Sequence, residues 1–239
     1  MGRADKIYDS SDAKKISRSR LPKLIFDFIE GATGREIAAK ENINSFDEIK
    51  LLPRALLDVG ERDLSTSFMG KKFCLPFGIA PMGMCNLSYP NADILMAKIA
   101  KDINFPHCIA TATSTDISEV FSVGKENIWF QLYVLHDSER GLELANFAYS
   151  IGFRTLILTV DVPQAARRLR ELRNGFNVPF KMGVTQFIDF ATHPVWSLRT
   201  LASGIPKPIL FSNEDKKFER NASRMGANWC FFDQLRSFW

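Results

Sequence analysis

Several polar side chains fall where short apolar runs end, and their chemistry suits a flat polar ligand together with an organic anion. Gln131 offers an amide, Thr159 a hydroxyl, Tyr133 a phenol and Asp161 a carboxylate. Arg168, a few residues further on, carries the planar fork that pairs a carboxylate through two hydrogen bonds. Each also has an ordinary reading. Tyr133 can be a core tyrosine with a satisfied hydroxyl, Gln131 and Thr159 can close strand ends, Asp161 before Pro163 can be a turn residue, and Arg168 can be one of several solvated arginines.

The elements that must position these groups follow from the hydrophobic pattern. Four apolar runs rich in β-branched residues, at 74–82, 107–113, 128–134 and 155–162, alternate with helical stretches at about 91–103, 115–122 and 138–151. Continuous apolar strands between amphipathic helices mean a parallel sheet covered on both faces. Measured from Gly78, Ile109, Phe130 and Ile157, the spacings are 31, 21 and 27 residues, a repeated βα unit. No GxGxxG follows the first run, which removes the main signal for a Rossmann fold. The expected architecture is an α/β chain carrying about the first four βα units of a (β/α)8 TIM barrel, whose chemistry sits at the C-terminal ends of the strands. Those ends read Pro81-Met82-Gly83, Ala110-Thr111, Gln131-Leu132-Tyr133 and Thr159-Val160-Asp161.

Outside the barrel, residues 1–16 are polar and are expected to form a disordered lead. Residues 17–71 form an N-terminal helical segment, with one helix stopped by Gly31 and a second over 34–48 that buries Ile37, Ala38, Ile43 and Phe46. Strands 1–4 occupy 72–162, an insertion follows over 163–230, and 231–239 begin a helix with no fifth strand after it. The insertion is apolar over 176–211 but broken by Pro179, Pro194, Pro206 and Pro208. That composition fits a segment lying on a membrane surface better than one crossing it, and an ordinary active-site cover fits equally well.

Among the 239 residues, 46% are hydrophobic, ample for a core, and 31 basic against 27 acidic residues give a net charge of +4. This mild bias can attract an anionic substrate or lipid and falls well short of a nucleic-acid binder. Cys74, Cys85, Cys108 and Cys230 show neither a CxxC pair nor zinc spacing, so no metal or disulfide is expected. The chain opens with no signal peptide and holds no run of about 18 apolar residues. It reads as cytoplasmic, with any membrane contact peripheral and on the cytoplasmic face.

Six strings occur in one order: Leu21-Pro22-Lys23 with Asp27-Phe28, Leu52-Pro53-Arg54 with Asp58-Val59, Ile79-Ala80-Pro81, Phe130-Gln131-Leu132-Tyr133, Leu158-Thr159-Val160-Asp161-Val162-Pro163 and Arg173-Asn174-Gly175-Phe176. This succession resembles the FMN-dependent 2-hydroxy acid dehydrogenases and oxidases, the family of the glycolate, lactate and mandelate enzymes, over residues 17–239. His193-Pro194-Val195-Trp196-Ser197-Leu198 is most similar to its membrane-associated mandelate dehydrogenase branch. The resemblance implies oxidation of an L-2-hydroxy acid to a 2-oxo acid. It places Pro81, Met82, Gly83 and Ala110 against FMN and gives Gln131 and Thr159 the pyrimidine edge of the ring. It assigns Tyr133 to the active site beside the substrate, Arg168 to the substrate carboxylate, and Asp161 to the histidine that acts as base.

Against the family pattern, Phe28 stands for a carboxylate-binding tyrosine, Ala110 for a serine that Thr111 can replace, Met82 for a threonine and Ala166 for a glycine. The sequence contains no Ser-Asn-His-Gly-Gly-Arg run with the base and no Asp-Gly-Gly phosphate motif. None of the three histidines fills the gap: His107 starts a strand, His136 lies past the third, and His193 belongs to the insertion. The implied state is an incomplete enzyme that binds FMN weakly or not at all. It would act alone, pair with a separate C-terminal half, or self-associate. Phe231 to Arg236, with Trp239, resemble the family helix that leads into the fifth strand.

Overall fold

A row of parallel strands organises the molecule, whose computed structural model describes residues 6–133, 138–160, 167–176 and 182–210. After two short strands near the N-terminus, β1 (Thr66–Phe68) and β2 (Lys71–Phe73), come β3 (His107–Ala110), β4 (Ile128–Tyr133) and β5 (Leu156–Thr159). The last three pair in the order β3-β4-β5, all parallel, with Ala110 opposite Gln131 and Tyr133 opposite Thr159. This places the ends of consecutive barrel strands side by side.

The run expected as the first barrel strand, 74–82, is reduced to a single parallel bridge between Ile79 and His107. Ile79 N–H donates to Pro106 O, and Cys108 N–H to Ile79 O, each at 2.9 Å. The reduction has a local cause: Pro76 and Pro81 lack the amide a ladder needs. Gly78 lies so close to the neighbouring chain that a Cβ there would stand 2.4 Å from Pro106 O.

Three helices fill the crossovers, α4 (Ala92–Ile103), α5 (Ile117–Gly124) and α6 (Ser138–Ile151), as the periodicity predicts. The core forms where they meet the sheet. Ile109, Ile128, Phe130 and Leu132 pack with Ala97, Ile117, Val120, Leu144, Ala148 and Phe153. Phe153 sits edge-on to Phe130, ring centres 5.8 Å apart. At the N-terminus of α4 the buried Asp93 accepts hydrogen bonds from Thr113 (3.0 Å) and Thr115 (2.8 Å), pinning the loop after β3 to that helix.

The N-terminal segment departs from expectation in three places. Within the lead expected to be disordered over 1–16, α1 (Ser10–Arg18) is already helical from Ser10, because Asp9 accepts a hydrogen bond from Asp12 N–H at 2.9 Å as its cap. The second expected helix exists as α3 (Ile37–Glu48), after α2 (Lys23–Glu30), but Ile37, Ile43 and Phe46 are exposed. Their spacing records a face suited to burial and says nothing of what would cover it. The hairpin of β1 and β2 was not foreseen. Its turn residues Met69 and Gly70 have φ of 51° and 73°, the left-handed pair that two-residue hairpins favour.

The described parts of the expected insertion form α7 (Leu169–Asn174), α8 (Val184–Ala191) and α9 (Pro194–Ser203). They dock on α2, whose Leu24, Ile25 and Phe26 pack with Leu21, Phe176 and Trp196. The helix expected at 231–239 lies outside the described residues, as does Cys230. Leu156 and Leu158 of β5, and Val160 just beyond it, are exposed.

Candidate functional site

At the C-terminal edge of the sheet, Gln131 is held across three strands. Its Oε1 accepts from Thr111 N–H at 3.1 Å and its Nε2 donates to Thr159 Oγ1 at 2.8 Å. The Thr111 hydroxyl donates to Gln131 O at 2.5 Å and accepts from Tyr133 N–H at 3.1 Å. β3 ends at Ala110, so the Thr111 side chain supplies the next rung of the ladder in place of backbone. Gln131 and Thr111 are buried, while Thr159 and Tyr133 are half-buried at the rim. The result is a fixed amide and hydroxyl in one line, with a phenol-bearing residue beside them.

Residues expected to lie against a cofactor border the same strand ends. Pro81, Met82 and Gly83 are exposed, and Met84 N–H ties this loop to Ala112 O after β3 at 3.0 Å. A Cβ on Gly83 would come within 3.1 Å of Ala112 Cβ, so the backbone there runs close to the next loop without a side chain between. Ala110 is buried in β3 and exposes no polar atom, whereas the adjacent Thr111 does the bonding. An exposed loop with an apolar Met82 side chain and a bare Gly83, next to an aligned amide and hydroxyl, has the composition that suits the face and polar edge of a flat ring.

A second group gathers at the C-terminus of α2. Arg168 Nη2 donates to Phe28 O and Gly31 O, each at 2.6 Å, and Nη1 forms an ion pair with Glu171 at the same distance. The guanidinium carbon lies 5.4 Å from the Phe28 ring centre, and Phe28 stacks on Phe176 with ring centres 5.0 Å apart. Burial raises the Glu171 carboxyl above its ordinary value, and the Arg168 charge and hydrogen bond oppose that rise. The structure therefore brings Phe28 and Arg168 into contact, and the Phe28 ring has no hydroxyl to offer there. It also shows the arginine anchored to backbone carbonyls that frame its position.

Asp161 lies outside the described residues, as do Ala166 and His136. His107 is buried at the start of β3, away from the strand ends that carry Gln131, and burial depresses its pKa against the opposing charge of Asp93. His193 precedes α9, with Nδ1 2.7 Å from Asp189 O. Neither histidine faces the row of Thr111, Gln131 and Thr159 in any recorded hydrogen bond among the described residues. Among those residues no cluster of His, Cys, Asp or Glu could hold a metal. Reasoning from sequence named Thr111 only as a stand-in for the serine expected at Ala110, and it missed Glu171 and Asp189. Glu171 could have been flagged by its place three residues after Arg168. Asp189 had no signal, because its partners lie more than 160 residues away.

The family model described as FMN-dependent dehydrogenase matches residues 17–239. The chain is 31% identical over 241 residues to (S)-mandelate dehydrogenase of Pseudomonas putida, covering 98% of this chain and 61% of that protein. It is 35% identical over 169 residues to 4-hydroxymandelate oxidase of Amycolatopsis orientalis, covering 71% and 47% respectively. The crystal structure of the monotopic membrane protein (S)-mandelate dehydrogenase superposes with a TM-score of 0.87 at 30% identity, over 98% of this chain and 64% of that one. The chain thus spans less than two thirds of the length of these relatives.

Proposed function

The chain belongs to the FMN-dependent dehydrogenase family, with the fold of a partial α/β barrel, and on that premise we propose that it is the substrate-arginine half of a 2-hydroxy acid dehydrogenase or oxidase. The observation that supports the proposal is the hydrogen-bonded row Thr111–Gln131–Thr159 at the C-terminal ends of three parallel strands. FMN, when bound, would accept two electrons as an L-2-hydroxy acid becomes a 2-oxo acid. In this reading Gln131 and Thr159 orient the ring edge while Pro81, Met82 and Gly83 lie along it. Arg168 holds the substrate carboxylate beside Phe28, and Tyr133 bonds the substrate. Asp161 stabilises charge on an imidazole base that none of the three histidines here supplies.

A phenylalanine at position 28 cannot donate the hydroxyl hydrogen bond of the family tyrosine, so carboxylate binding rests more heavily on Arg168. With neither base nor phosphate motif in the sequence, the chain alone would bind FMN weakly or not at all and turn over slowly or not at all. Mixing the purified chain anaerobically with FMN and (S)-mandelate, lactate or glycolate tests this. Little or no bleaching of the flavin is expected. Complete bleaching within seconds would overturn the proposed inactivity.

The exposed apolar edge of β5 favours a second reading, in which the half-barrel docks with a separate C-terminal half or with a second copy of itself. Size-exclusion chromatography showing a folded monomer at high concentration would remove self-association. The membrane surface enters the same proposal. Among the described residues no helix is long and apolar enough to cross a bilayer. Val184, Phe187 and Ile188 of α8 and Val195, Leu198 and Leu201 of α9 are nonetheless exposed. Two neighbouring helices with exposed apolar side chains suit a peripheral position on the cytoplasmic face of a membrane. If deleting 180–210 leaves partition between membrane and soluble fractions unchanged, the membrane reading falls.

A further inference from the structure

The helix that carries Phe28 is gripped at both ends by residues far away in sequence. α2 spans eight residues, too few to hold a helix by itself, and its N-cap is Pro22, which offers no side-chain acceptor. The missing cap comes from α8. Asp189 Oδ1 accepts from Lys23 N–H at 3.0 Å and Oδ2 from Leu24 N–H at 3.1 Å. At the other end, Arg168 donates to the carbonyls of Phe28 and Gly31.

A lateral tie joins the same three helices. Gln186 of α8 donates to Asn174 O at 2.7 Å, and Asn174 Nδ2 donates to Asp27 Oδ2 at 2.7 Å. Lys23 Nζ donates to Asn174 Oδ1 at 2.7 Å and also pairs with Asp27. α8 therefore meets α2 directly through Asp189 and indirectly through Asn174 at the end of α7. α7 in turn begins immediately after Arg168.

We propose that Asp189 is a positioning residue for the substrate arginine, setting the place of α2 and, through the carbonyls of Phe28 and Gly31, the place of the Arg168 guanidinium. The inference rests on the reading of Arg168 as the carboxylate-binding group. α8 also exposes Phe187 and Ile188, so whatever seats that helix acts on the same strut.

The test uses the full chain with Asp189→Ala and Asp189→Asn, followed by hydrogen exchange and by calorimetric titration with (S)-mandelate. In Asp189→Ala, exchange should quicken about fivefold to tenfold at the first turn of α2 and also at its far end and in α7, with β3, β4 and β5 unchanged as the folding control. Asn retains one of the two acceptor oxygens and sets an NH2 against the other N–H, so it should recover only part of the loss. Exchange that quickens only in α8 and the first turn of α2 would overturn the proposal. Should Asp189→Ala fail to fold, Gln186→Ala cuts the second tie and must quicken exchange in α7 for the proposal to stand.

Where the wild-type chain binds (S)-mandelate, Asp189→Ala should weaken it about threefold to tenfold, less than the full loss of a charged hydrogen bond because Arg168 is displaced and not removed, and Asn should restore part of it. An unchanged affinity would refute the positioning role. A wild-type chain that binds no (S)-mandelate would count against the proposed substrate, while the exchange measurements still decide the coupling.

Discussion

Replacing Thr111 by Val tests whether a side chain really completes the β3–β4 ladder. The two residues have nearly the same shape, and Thr111 is fully buried, so no cavity opens and the change removes only the hydroxyl. That hydroxyl now donates to Gln131 O and accepts from Tyr133 N–H, and Val can do neither. Leaving a buried backbone group unsatisfied costs about 1–3 kcal/mol, so two such groups, less the recovered cost of burying the hydroxyl, give a loss of about 2–4 kcal/mol. Against a typical total of about 5–15 kcal/mol this is a large fraction. With a urea slope of about 2 kcal/mol/M, the unfolding midpoint should fall by about 1–2 M at constant slope. Urea titration followed by far-UV circular dichroism measures it. A shift below about 0.3 M would show that the Thr111 hydroxyl adds no rung to the β3–β4 ladder.

Other perturbations address pH and the surface. His107 is buried with its pKa depressed, so below about pH 6.5 the unfolded chain takes up a proton that the native state refuses, and stability falls as pH falls. His107→Phe should flatten the urea midpoint between pH 6.5 and 5, and a slope equal to wild type would refute this. Burial pushes Asp27 upward, but hydrogen bonds from Lys23 and Asn174 and the charges of Lys23 and Arg170 together hold its carboxyl below the ordinary value. Its contribution is thus present above about pH 4 and lost as pH falls through the native pKa, so Asp27→Asn should lower stability at pH 7 and narrow the difference from wild type in acid. The double variant Phe187→Asp with Leu198→Asp should cut binding to lipid vesicles at least about tenfold while leaving the far-UV spectrum intact, since both side chains are exposed. Equal vesicle binding would exclude α8 and α9 as the contact.

Most of the barrel pattern was legible because βα units are local. The runs at 107–113, 128–134 and 155–162 carry their own periodicity. The observed strands fall inside the predicted segments, and the crossover helices match theirs to within about two residues at each end, α5 running on to Gly124. The first strand read as well as the others, yet forms one bridge, since a run of apolar residues does not reveal that prolines at 76 and 81 deny it hydrogen bonds. Ile43 and Phe46 show the reverse limit, a helix correctly placed whose apolar side chains lie exposed. At the site, strand-end polarity singled out Gln131 and Thr159, which the fold joins in one hydrogen-bonded row, while the part Thr111 plays in that row depends on the register of β3 against β4. Asp189 was invisible for a related reason, since a cap supplied from 166 residues away leaves no pattern near the helix it serves. Arg168 was found by its guanidinium, but its grip on Phe28 O and Gly31 O could come only from the folded chain.

The proposed function has Gln131 and Thr159 holding the flavin ring and no residue of this chain holding the phosphate. Fluorescence titrations with FMN and with riboflavin, which lacks the phosphate, test it most directly. Weak binding of both is expected, with dissociation constants alike to within about threefold, a difference under about 0.7 kcal/mol, and a further loss for both in Gln131→Leu. FMN bound at least about a hundredfold more tightly than riboflavin, unaffected by Gln131→Leu, would contradict it.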